Sequence, residues 1–154
     1  MELPVDAVFK AFTQTISKTI KSSGVSIDDI GSIGVTSQAQ TFALMDQNDN
    51  FITPFISWLD MRAVETCKTV LLENFAEHCS ISEIQPNMQI CILKYLLNEN
   101  PKIAREKIKV IPLSAYLIML LTGQCVSDNN IAAMSGLFSL KENNYSSFAV
   151  RFPA

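Results

Sequence analysis

The sequence is poor in the residues that usually announce chemistry. It has five glycines, at positions 24, 31, 34, 123 and 136, and none falls in a G-x-x-x-x-G-K or G-x-G-x-x-G run. No phosphate-cradling loop of those kinds is therefore present. The single histidine, His78, stands beside Cys79, and the four cysteines at 67, 79, 91 and 125 include no C-x-x-C pair. That spacing lacks the close ligand pairs of a zinc site, so no metal is expected and the thiols read as free, buried groups in a reducing cytoplasm. Charge is also scarce. Charged residues make up 18% of the chain, the net charge is −3, and Lys and Arg form no basic stripe, which argues against a nucleic-acid partner. The longest apolar stretch, Val110 to Leu121, is interrupted by Pro112 and Ser114. It is shorter than the about 20 residues a membrane helix needs, so no membrane partner is expected. The opening MELPVD lacks a positive n-region, so no signal peptide is expected and the location reads as cytoplasmic.

What remains is a chain of 154 residues, 48% hydrophobic, which is the profile of one globular domain. Val5, Phe9, Phe12, Ile16 and Ile20 recur at helical spacing, between Pro4 and Gly24. SIGVTS, with Ile33 and Val35, predicts a strand running into a loop at Ser37, and TFALM predicts a second strand. DQNDN then reads as a polar turn leading to FITP. Met61, Val64, Cys67, Leu71 and Phe75 predict an amphipathic helix, and Asn87 is placed to cap MQICILKYLLNEN. Pro101 opens a short helix, Ser114 is placed to cap AYLIMLL before Gly123, and Asp128 and Asn130 are placed to cap another helix. The order is a helix, two or three strands, then mostly helices. That is an α/β domain with its strands concentrated early and no strand ahead of its first helix, the look of a piece of a larger fold.

One stretch stands apart. PFISWLDMRA, Pro54 to Ala63, holds the only tryptophan, and Trp58, Asp60 and Arg62 are spaced i, i+2, i+4. An extended segment would set all three on one side. A large flat ring and two opposite charges would then share that side. The alternative is a core tryptophan beside a partly buried ion pair.

With these motifs in order, the chain resembles the FGGY carbohydrate kinases. The resemblance rests on Ile30 to Gln38 (I-x-x-I-G-[IV]-x-x-Q), Leu44 to Pro54, and W-x-D-x-R at Trp58, Asp60 and Arg62. It extends to LKYLLNENP and LTGQCVSDNNIAAMSGLFSL, and runs through about Leu140. It implies the α/β, actin-like, ribonuclease-H-like fold, with a short mixed β-sheet and several helices, residues 1–140 being part of the N-terminal, sugar-binding domain and 141–154 an unmatched tail. It also implies an ATP- and Mg²⁺-dependent kinase acting on a pentulose, hexulose or polyol. By the same resemblance Gln38, Ala39, Gln40, Trp58, Asp60 and Arg62 are the substrate-binding candidates. Glycerol kinases place Arg-Glu where Ala39 and Gln40 stand, and many xylulokinases place Met-His, so the sugar stays open. Gln40 either bonds a hydroxyl or closes a turn. Asn87 aligns loosely with a substrate tyrosine of glycerol kinases, with its cap reading preferred.

Phosphoryl transfer needs a phosphate cradle, Mg²⁺ ligands and a base. The family's D-x-G-[ST] turn follows a hydrophobic strand. DIGS at Asp29 to Ser32 precedes one instead, and is not expected to serve. The family's catalytic aspartate and nucleotide-binding domain have no counterpart in the sequence, so catalysis by this chain alone, and binding of ATP or metal by it, are not expected. Three readings stand: a fragment of an FGGY sugar kinase, a non-catalytic sugar-binding or regulatory module, and an unrelated helical interaction protein. Self-association, as a dimer through an unpaired edge near Ile33 or the face of Phe9 and Phe12, is expected of the first.

Overall fold

A four-stranded sheet separates two apolar layers in this computed structural model, which describes residues 1–70, 75–79 and 81–145. Its strands are β1 (Glu2–Leu3), β2 (Phe42–Met45), β3 (Phe55–Ile56) and β4 (Lys109–Pro112), in spatial order β1-β3-β2-β4. Every pairing among the described residues is antiparallel, where a mixed sheet was expected. In register, Phe42 sits opposite both Ile56 and Pro112, and Leu44 opposite Val110.

The central strand explains itself. Side chains alternate across a sheet with period two, and all four residues of β2 are buried. Phe42 and Leu44 join Ile56 in one core, with Ile90 and Ile92 of α4 (Gln89–Glu99). Ala43 and Met45 join Phe55, Ile111 and Tyr116 in the other. A strand covered on both faces reads as a continuous apolar run, as TFALM does. On the second face Phe51, Phe55 and Tyr116 form an aromatic cluster with ring centroids 5.2 to 5.8 Å apart.

The long helix α1 (Val5–Ser23) runs from Pro4 to Gly24 as the periodicity predicts, yet it contains no buried residue. After α2 (Val64–Cys67) and α3 (Phe75–His78) come α4, α5 (Pro101–Ala104), α6 (Leu113–Thr122) and α7 (Asn129–Met134). The predicted caps at Asp128 and Gly123 form. Asp128 Oδ1 accepts from the N–H groups of Asn130 and Ile131 at 2.9 Å, and Gly123, at φ 74°, donates to Met119 O at 2.8 Å. A last hairpin pairs β5 (Phe138–Ser139) with β6 (Asn144–Tyr145). Gly136, at φ 79°, makes the turn into it, and a Cβ there would lie 2.8 Å from Ile90 Cγ2.

Several expectations are corrected. Residues 30–38 form no strand, and Ile33 is 62% exposed. Alternation supplied the right side chains, but the ladder next to β3 is taken by β1 and none of the sheet's pairings includes this segment. A strand does precede α1, because Glu2–Leu3 pairs with Phe55–Ile56. The helix expected from Met61 to Phe75 is two short helices, with Leu71 outside the described residues. Neither Asn87 nor Ser114 caps a helix: Met88 and Pro112 occupy the cap positions, without side-chain caps. The 141–154 tail contributes β6, and residues 146–154 lie outside the described residues.

Candidate functional site

The Trp58–Arg62 stretch leaves β3 not as an extended segment but as a tight turn, closed by Asp60 N–H donating to Ser57 O at 2.9 Å. The turn separates residues that an extended chain would have aligned. Trp58 is 44% exposed, whereas Asp60 is 4% exposed.

Asp60 is held from three directions. Its Oδ1 accepts from Arg62 Nε at 2.9 Å and from the Arg62 backbone N–H at 3.0 Å, and its Oδ2 accepts from Arg62 Nη2 at 2.8 Å. The amino group of Met1 also donates to Oδ2. The paired Nε and Nη2 donors make this a two-pronged ion pair, the strongest form of carboxylate recognition. The Arg62 guanidinium holds the Asp60 carboxyl well below the usual carboxylate range, against the opposing effect of burial. The same bond raises the Arg62 pKa, and Arg62 Nη2 reaches Glu2 Oε1 at 2.8 Å. The pair is thus charged at both ends and tied to the strand that precedes α1.

Thr41 is the hub that sequence reading missed. It is fully buried, donates through Oγ1 to Gln38 Oε1 at 2.7 Å, and accepts at Oγ1 from Trp58 N–H at 3.1 Å. Trp58 O in turn accepts from Asn87 Nδ2 at 3.0 Å. Three segments far apart in sequence are so drawn together: 38–41, 57–62 and the entry to α4. The only signal for Thr41 was its place at the polar end of an apolar strand. Asn87, placed by its position ahead of α4 as a cap, instead sends its amide across to the tryptophan loop.

Gln40 is buried and serves the fold. Its Nε2 donates to Met134 O at 2.6 Å, and its Oε1 accepts from Gln89 N–H at 3.2 Å. Ala39 O accepts from Gln89 Nε2 at 3.3 Å. The QAQ turn is therefore welded to α4 and to the end of α7, while Gln38 is exposed. Ser37 Oγ is buried with no hydrogen-bond partner among the described residues.

A family model describing the N-terminal domain of the FGGY family of carbohydrate kinases matches residues 1–152. The chain belongs to the FGGY family of carbohydrate kinases. It is similar to L-fuculokinase of Haemophilus influenzae, 26% identical over 141 residues that cover 86% of this chain and 29% of that protein. It also resembles glycerol kinase of Agrobacterium fabrum, 25% identical, covering 93% of this chain and 31% of the relative. Among solved structures, the xyloylose kinase of Brucella ovis superposes with a TM-score of 0.84 at 23% identity, covering 97% of this chain and 31% of that one. Glycerol kinase of Plasmodium falciparum, solved with ADP, gives 0.80 at 18% identity over 96% of this chain and 31% of that one. The FGGY chain therefore has the actin-like fold expected, and it spans about 30% of the length of these relatives. Among the described residues no helix is long and apolar enough to cross a membrane, and no group of three or more metal-ligating side chains converges.

Proposed function

We propose that this chain carries part of the acceptor side of an ATP-dependent sugar or polyol kinase and does not catalyse phosphoryl transfer by itself. The observation that carries this reading is the exposed Trp58, pinned by Thr41 and Asn87, with Gln38 on the same Thr41 hydroxyl and the ionised Asp60–Arg62 pair on the same loop. A half-exposed ring on a hydrogen-bonded backbone is a platform for the C–H face of a sugar, held still before the ligand arrives. Gln38, exposed at the rim, has an amide nitrogen to offer a hydroxyl. Ser37 Oγ, Ala39 and Gln40 lie on the same turn. Gln40, spent on backbone partners, orients that turn and does not itself need to touch ligand. Asp60 and Arg62 act mainly on each other and set the loop on which Trp58 stands.

ATP and Mg²⁺ belong, in this reading, to the whole enzyme. Phosphoryl transfer rests on positioned charge around the transferring group, and neither a phosphate cradle nor a base is visible among these residues. The protein is cytoplasmic, with a small sugar or polyol as its ligand. The first test is a two-part assay of the purified chain. Sugar-dependent ADP release should be absent. Amide chemical shifts in a panel of pentuloses, hexuloses and polyols should move at 38–41 and 58–62. Turnover by the chain alone, or shifts confined to other segments, would refute the reading.

A second copy of the chain is the further partner. α1 has no buried residue, and Phe9, Phe12, Ile16 and Ile20 line a groove of about 620 Å³ with Ile27 and Leu120. An apolar face of that kind favours association. The favoured occupant is the same face of another chain, by way of Phe9 and Phe12.

A further inference from the structure

The four cysteines differ in their surroundings. Cys79 is buried and its thiol is pushed up to about 11 by burial, and Cys125 is exposed. Cys67, the last residue of α2, is half-buried. Cys91, in the first turn of α4, is fully buried, and their sulfurs lie 3.1 Å apart. Ordinary packing sets carbon atoms about 3.5–4.0 Å apart, so two larger sulfur atoms at this separation are unusually close. A disulfide bond is about 2.05 Å long, which leaves roughly 1 Å to close.

The approach is held by more than the sulfurs. One turn along α4 from Cys91, Lys94 Nζ donates at 2.9 Å to Thr69 O, two residues past Cys67. This bond ties α4 to the chain leaving α2 and keeps the two cysteines in register. Both sulfurs border the core of Phe42, Leu44 and Ile90.

We propose that Cys67 and Cys91 are a redox-active pair that closes to an intramolecular disulfide when the folded chain meets a low-molecular-weight disulfide. Cys67 is the more exposed residue of the two, whereas burial and the neighbouring Cys67 keep the Cys91 thiol protonated. Cys67 Sγ, as the thiolate, attacks one sulfur of oxidised glutathione. The glutathione S–S bond breaks, and one glutathione leaves carrying the proton that Cys67 gave up. Cys91 then gives up its proton, its sulfur attacks Cys67 Sγ, and the mixed disulfide breaks to release the second glutathione as a thiol. The two cysteines lose two electrons in all, and one disulfide becomes two thiols.

The bond would join the helix just after Arg62 to the helix just after Asn87, which holds the Trp58 carbonyl. It would thereby brace the candidate sugar loop. That consequence rests on the proposed function, but bond formation does not.

The test is to treat the full folded chain with oxidised glutathione, cap the remaining thiols, digest it and map the peptides by mass. The expected product is one Cys67–Cys91 linked peptide, lighter by two hydrogens than the two thiol peptides, with Cys79 recovered capped and dithiothreitol reversing the link. Closing the loop should raise Tm by roughly 5–15 °C. Cys91→Ser should trap glutathione on Cys67. If that variant does not fold, the map and the Tm shift of the natural chain still decide. Recovery of Cys67 and Cys91 as free thiols while Cys125 reacts, glutathione left on Cys67 of the natural chain, or links only between chains would each overturn the proposal.

Discussion

Two strands of apolar logic run through this molecule and end differently. β2 is four residues long and wholly buried, while α1 is 19 residues long and buries none. Both are apolar in the pattern of their element, β2 as a continuous run and α1 at helical spacing. β2 has a helical layer on each face, and α1 presents Phe9 and Phe12 to a groove open to solvent. Periodicity says which side chains share a face, and only a partner makes that face a core. The half of the fold that carries Trp58 is internally satisfied, through Thr41, Asn87, Gln40 and the Asp60–Arg62 pair. The half that carries α1 and residues 24–37 is not.

The largest effect should come from cutting into the satisfied half. Phe42→Ala removes a fully buried ring shared by β2 and α4 and should cost about 3–5 kcal/mol in urea unfolding. Phe9→Ala, at a side chain 45% exposed, should cost under about 1 kcal/mol. Comparable costs would mean that α1 packs in solution as β2 does, and the contrast would fail.

Next is Asp60→Ala, which strips Arg62 of its two-pronged partner and should cost roughly 2–3 kcal/mol, with Arg62 retaining Glu2. The pH dependence carries the same information. The folded Asp60 carboxyl titrates below its ordinary value of 3.8. The stability it contributes is therefore complete above the unfolded carboxyl pKa and is lost as pH falls through the folded one. Unfolding free energy measured from pH 6 down to pH 2 should fall steeply below about pH 4. Asp60→Asn should flatten that fall, and an unchanged slope would show that the pair does not hold in solution.

The smallest effect on stability, and the clearest on assembly, should come from Phe9→Lys. Light scattering should find the natural chain larger than a monomer at micromolar concentration and this variant monomeric, with a similar unfolding midpoint. A monodisperse monomer for the natural chain would mean that the apolar face of α1 does not recruit a second copy.

These contrasts also mark how far the sequence could be read. α1, β2, the polar turn at Asp46–Asn50 and the caps at Asp128 and Gly123 were legible because each rests on local chemistry: period, turn residues, a side-chain oxygen near N–H groups. The family was legible because its motifs recur in order. β1 and β4 were not, since a strand of two residues and one of four ending at Pro112 are defined by what lies beside them. The strand expected at Ile33 and Val35 failed for the converse reason, a right pattern with no neighbour. At the site, the acid–base pair was visible, but its direction was not. The turn at Ser57–Asp60 sends Asp60 inward and leaves Trp58 exposed, and only tertiary structure shows Thr41 and Asn87 fixing that loop.

The most direct test of the central claim uses the fact that Trp58 is the only tryptophan in the chain. Its fluorescence is titrated with pentuloses, hexuloses and polyols, and Gln38→Ala is titrated alongside. The account predicts a saturable change in emission with one sugar class, and an affinity weakened several-fold in the variant, since one lost hydrogen bond costs about 1 kcal/mol. Emission that stays flat across the panel, or an affinity that Gln38→Ala leaves unchanged, would contradict it.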